Sequence, residues 1–241
     1  MILLMRRRTV LSVWLLLCLS GVAAVFWMGG RQAAVPAMAG QGRTVQTVVI
    51  DPGHGGEDGG AVSTEGVEES AINLAVSLRL EGLLRLAGVP TALTRRTDEM
   101  VCDAGLDTLR ARKASDIRNR VSQVNALPNA VLLSIHQNSL PSSTETHGAQ
   151  AFWNGIDGAE ALANVLQTEL NGTVNTHRAK EAKPISSDIY LMHHVTAPAV
   201  LVECGFLSNR EETALLQTAE HQTKLAVVIA AGYLRWAAEN G

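Results

Sequence analysis

Short apolar runs alternate along the chain with longer stretches of mixed residues. Runs rich in Val, Ile and Leu fall at 47–50, 89–94, 130–135, 149–153, 189–192 and 199–202. Runs this short, with little polar alternation, suit strands buried on both faces. Between them apolar residues recur at helical spacing over 70–86, 108–127, 159–170 and about 221–238. The alternation predicts an α/β fold: a mostly parallel, twisted sheet with helices on both faces. In such sheets ligands gather beyond the carboxyl ends of the strands, so the residues that follow each run are the ones to inspect.

One apolar stretch is of another kind. Three arginines, Arg6, Arg7 and Arg8, precede 22 uncharged residues at 9–30. As a helix that stretch would span roughly 33 Å, enough for a bilayer core. Trp14 and Trp27 lie toward its ends, and the arginines predict a cytoplasmic start, leaving everything after residue 30 outside. The expectation is an N-terminal membrane anchor at 1–30, a linker at 31–45 and one catalytic-sized domain at 46–241. The length of the stretch favours a single-pass anchor at the cell membrane over a signal segment cleaved near 37–39, which would make the protein secreted.

Charge sharpens this division. Five of the twenty basic residues precede the first acidic one, Asp51, so the part from residue 46 onward carries a net −8. A body this acidic has no electrostatic footprint for nucleic acid. Two cysteines remain there, Cys102 and Cys204, with no metal-pair spacing, and Cys204 reads as a small buried side chain.

Four positions carry candidate chemistry. After the first run comes Asp51-Pro-Gly-His54-Gly-Gly-Glu-Asp-Gly-Gly-Ala61, with five glycines in eight residues. It is no phosphate loop, because Asp58 stands where the third glycine belongs and no Gly-Lys-Ser/Thr follows. His54 alone reads as a structural histidine. Glu68 and Glu69 open the next helix, where either would complement the dipole. His136 ends an apolar strand, again with a structural role as the default. Glu203 ends another, and a carboxylate at a buried strand end is costly unless something pairs with it. Two histidines and a carboxylate, with a fourth position open to water, form the ligand set of hydrolytic zinc, and a further carboxylate could move that water's proton.

The motifs VVIDPGHGGEDGGA, Glu69-Ser-Ala-Ile-Asn-Leu, SIHQNS and VLVECGFLSN, in this order and separation, resemble the zinc-dependent N-acetylmuramoyl-L-alanine amidases, bacterial cell-wall hydrolases. The resemblance spans residues 46–241. It implies Zn2+ held by His54, Glu69 and His136, with Glu203 acting on the water, and it selects Glu69 over Glu68 by its distance from Asn73. It implies peptidoglycan as substrate and release of the stem peptide from muramic acid. Arg178-Ala-Lys180, Asp188-Ile-Tyr-Leu-Met192 and Gly148-Ala-Gln-Ala-Phe-Trp153 resemble the sporulation-type members that act in cortex muramic-lactam formation, with a muramic acid deacetylase as pathway partner. The metal chemistry also allows a zinc peptidase acting on stem peptides, and the fold without turnover would be a wall-binding protein. The eleven residues between His136 and Gly148 leave no room for a helix that plugs the site.

Neighbouring features read as structural. Asn209 and Glu212 form a reciprocal helix cap. His193 and His194, adjacent on a strand, would point to opposite faces. Arg120 on its helix is expected to make a salt bridge, and His147, His177 and His221 are surface or structural residues.

Overall fold

The computed structural model describes residues 46–240. Six strands lie there, β1 (Thr47–Pro52), β2 (Thr91–Leu93), β3 (Ala130–Asn138), β4 (Gln150–Trp153), β5 (Lys183–Pro184) and β6 (Ala199–Phe206). Six helices accompany them: α1 (Glu69–Leu86), α2 (Leu109–Asn125), α3 (Ala159–Thr173), α4 (Tyr190–His194), α5 (Arg210–Leu216) and α6 (Ala219–Asn240). The strands form one sheet in the order β2-β1-β3-β6-β4-β5. The first four run parallel, whereas β4 is antiparallel to β6 and β5 follows β4. The sheet is therefore mixed. No helix separates β3 from β4, so the chain turns back instead of crossing over, and β6 later enters between them.

Side-chain alternation sends the strands' residues to two unlike layers. Val48, Ile50, Val131, Leu133, Val200 and Val202 pack beneath α1, α3 and α6. Gly232 of α6 lets α3 approach closely, since a β-carbon there would lie 2.7 Å from Leu166 Cδ2. Val49, Leu132 and Leu201 face the other way, against α2 and the short α4. Helices thus cover both faces, as the pattern predicts.

The run at 189–192 is a correction: Tyr190–His194 forms a helix, not a strand. Four apolar residues do not distinguish the two by periodicity. The sixth strand is instead Lys183–Pro184, exposed and without an apolar run to announce it. Cys102 and Cys204 are free thiols, and Cys204 is buried. Among the described residues no helix is long and apolar enough to cross a membrane. The expected anchor at 1–30 and linker at 31–45 lie outside the described residues.

Candidate metal centre

The four candidate residues come together at the carboxyl edge of the central strands. β1 ends at Pro52, and Gly53 follows with no space for a side chain: a β-carbon would lie 2.2 Å from His136 Cε1. That absence brings the end of β1 against the ring of His136. His54 then takes a left-handed backbone, φ 61°, unusual for a residue with a β-carbon. The surroundings hold it there. Arg120 donates to the carbonyls of Pro52 and His54 at 2.7 and 2.6 Å, and Arg95 to those of Pro52 and Gly53, both at 3.0 Å. Both arginines are buried. Asp51 and Asp116 each lie 2.7 Å from Arg120 and balance its charge. Burial would raise the Asp51 carboxyl, but Arg120 and the Thr94 hydroxyl draw it down to about 2.

Glu69 is the first residue of α1, yet its side chain turns inward and is buried. Its Oε1 accepts from Gln137 N and Asn73 Nδ2, both at 3.0 Å, and its Oε2 accepts from Ala61 N at 2.9 Å. Oε1 lies 2.8 Å from His136 Nδ1, and Oε2 lies 3.4 Å from His54 Nε2. Against the cost of burial, these donors and the two histidines pull its carboxyl down to about 2. His136 is lifted: burial opposes its charge, but the bond to Glu69 outweighs that. One donor atom from each of His54, Glu69 and His136 lies within 4.8 Å of the other two.

Glu203 stands opposite His136 in the parallel pairing of β3 with β6, just before an irregularity in their register. Bulges of this kind often re-aim side chains beside functional sites. Its Oε2 is buried and has no hydrogen-bond partner. Burial pushes its carboxyl up to about 7, with the Glu69 charge adding to the rise and His136 and Lys180 opposing it. The cleft above these groups holds about 410 Å³, with Ile117 of α2 and Tyr190 of α4 on its far wall.

The residues fit a divalent transition metal. Two imidazoles and a carboxylate are the ligand types of hydrolytic zinc. Beside them, the unpartnered Oε2 of Glu203 is of the type that can accept a water proton.

Several supporting residues escaped the sequence. Asp58 holds His54, Asn73 bridges Glu69 to Gly53, and Gln137 donates to Asn73. Asn73 sits four residues after Glu69 on α1, a helical spacing that could have flagged it. Arg95 had no such signal. Arg120 makes the expected salt bridges and also grips the His54 carbonyl. Asn209 caps α5 by accepting from Glu212 N, but the reciprocal half is a correction. The Glu212 carboxylate turns away to accept from Gly148 N and Phe206 N, tying the β3–β4 connection to the end of β6. His193 and His194 lie on a helix and meet backbone carbonyls, so the opposed-face argument does not apply to them.

Comparison with known proteins decides the family. Residues 48–235 match the N-acetylmuramoyl-L-alanine amidase family. The chain belongs to it. The reaction is therefore hydrolysis of the amide that joins N-acetylmuramic acid to L-alanine in peptidoglycan. The germination-specific N-acetylmuramoyl-L-alanine amidase of Bacillus subtilis is 38% identical over 195 residues, 80% of this chain and 81% of that protein. Among solved structures, the CwlD amidase of Clostridioides difficile, determined in complex with the GerS lipoprotein, aligns with a TM-score of 0.77 at 32% identity. That alignment covers 80% of this chain and 99% of the other. The catalytic domain of CwlV from Bacillus (Paenibacillus) polymyxa var. colistinus aligns at 0.66 and 29% identity, over 80% and 98%.

Proposed function

We propose that this amidase works with zinc held by His54, Glu69 and His136, that Glu203 moves the proton, and that its substrate is cortex peptidoglycan outside the cell membrane. One observation carries the assignment of Glu203: a buried carboxylate oxygen with no partner, on the strand that pairs with His136. A bound zinc ion supplies Lewis acidity, polarising the lactyl amide carbonyl and acidifying the attacking water. Everything else falls to the chain. Glu203 Oε2 accepts the proton of the water and returns it to the departing nitrogen of L-alanine. His136 and His54 are held by Glu69 and Asp58, so the donor atoms are oriented before substrate arrives.

The likeness to a germination-specific amidase supports a role in spore germination; cortex as the substrate, with a muramic acid deacetylase acting on the exposed muramic acid, extends that proposal. The arginine-flanked apolar stretch supports a single-pass anchor with the catalytic domain outside. The complex of CwlD with a lipoprotein supports a protein partner at the same membrane.

Digesting purified peptidoglycan and weighing the products by mass spectrometry tests the reading. Free stem peptides that begin with L-alanine are expected. Stems trimmed within the peptide would instead indicate a peptidase, and an undigested wall would indicate a binding protein.

A further inference from the structure

His54 and His136 are held in different ways. His136 Nδ1 meets Glu69, which is itself one of the three clustered donors. His54 Nδ1 meets a separate carboxylate, Asp58 Oδ2, at 2.9 Å. An ionised carboxylate only accepts, so Nδ1 of His54 carries a hydrogen, and the neutral ring that a metal requires then offers its lone pair at Nε2. Nε2 is the nitrogen that faces Glu69.

Asp58 is pinned in its turn. Gly55 and Asp58 exchange backbone hydrogen bonds at 2.8 and 3.1 Å, which closes the loop on itself. The second oxygen, Oδ1, accepts from Lys113 Nζ at 2.7 Å and from Gly60 N at 3.4 Å. Lys113 belongs to α2, as does Arg112, which reaches Glu57 at 2.6 Å. A surface lysine on a helix therefore fixes the rotamer of a carboxylate, and the carboxylate fixes the tautomer and ring direction of His54.

We propose that Asp58 and Lys113 act in series as positioning residues for the metal site, Lys113 acting only through Asp58. The inference rests on the zinc reading of His54, Glu69 and His136. Both residues line the cleft without belonging to the three clustered donors, Lys113 exposed and Asp58 partly buried, and neither is part of the apolar core. Partners that hold the outer nitrogen of a ligating histidine typically govern metal affinity by about 10- to 100-fold.

The test measures zinc affinity of the full chain in detergent by competition with a chromogenic chelator, alongside the visible spectrum of the cobalt-substituted protein. Asp58→Ala is expected to weaken zinc binding roughly 10- to 100-fold and to alter the cobalt bands. Lys113→Met is expected to weaken it several-fold, with Lys113→Arg restoring the parent value. In the Asp58→Ala background Lys113→Met should cost nothing further, because the intermediary is gone. An unchanged affinity in Asp58→Ala, or an equal Lys113→Met effect in both backgrounds, overturns the proposal while leaving the zinc reading intact. A parent chain that takes up no zinc overturns both. Unfolding midpoints of the metal-free variants check that none of the loss comes from a damaged fold.

Discussion

The two faces of the sheet are built from the same strands and serve opposite ends. Beneath α1, α3 and α6 the strand residues are apolar except for Gln137 near the end of β3, and the helices are long, so burial is dense and continuous. On the other face the same strands carry Asp51, Ser134, His136 and Glu203 toward their carboxyl ends, and the covering layer includes a helix of only five residues. One residue of register separates a core valine from a carboxylate of the cleft, as at Val202 and Glu203. The apolar face holds the strands in line, and the polar face spends that rigidity on keeping charged groups buried in fixed places.

This contrast can be broken from either side. The largest expected effect is on the polar face: Glu203→Gln should keep zinc and lose roughly two to four orders of magnitude in turnover, the usual contribution of a positioned base. His136→Ala should lose metal and activity together, so zinc content measured beside rate separates the two roles. On the apolar face Leu166→Ala removes a side chain packed against Gly232 and should cost about 2–5 kcal/mol. Denaturant unfolding should show that loss, while turnover per folded molecule stays near the parent value.

The smallest effect is acid sensitivity. Asp51 has its carboxyl drawn from 3.8 to about 2 in the fold, so its ionised form stabilises the protein above the unfolded value. That stabilisation, about 2 kcal/mol, is lost as the pH falls from about 4 through about 2. Urea unfolding across this window should be less pH-dependent in Asp51→Asn, which is weaker than the parent above about pH 4, where Arg120 is left underpaired, and converges on it as the parent's carboxyl is protonated.

What the sequence disclosed follows the same division. The apolar face was legible because burial on both sides writes continuous Val, Ile and Leu runs, and five of the six predicted runs are strands. His54, Glu69, His136 and Glu203 were legible as strand-end or helix-start residues within distinctive motifs. Short elements were not: the run at 189–192 and the pair Lys183–Pro184 carry too few residues for a period to show. Nor were the long-range supports. Arg95 reaching Pro52 and Gly53, Lys113 reaching Asp58, and Glu212 reaching Gly148 join positions far apart in the chain. Such bonds depend on tertiary placement and leave no local spacing behind.

The late entry of β6 into the middle of the sheet has a consequence for timing. The three clustered donors are all supplied by residue 136, but the carboxylate opposite His136 arrives only on the last strand, which must insert between β3 and β4. That insertion is a non-local pairing, the slow kind of step in assembling a sheet. Until β6 is in place β4 has only β5 beside it, and Glu203 is absent from the edge where the three clustered donors meet. The four residues of the proposed site are therefore complete only once the sheet is closed between β3 and β4.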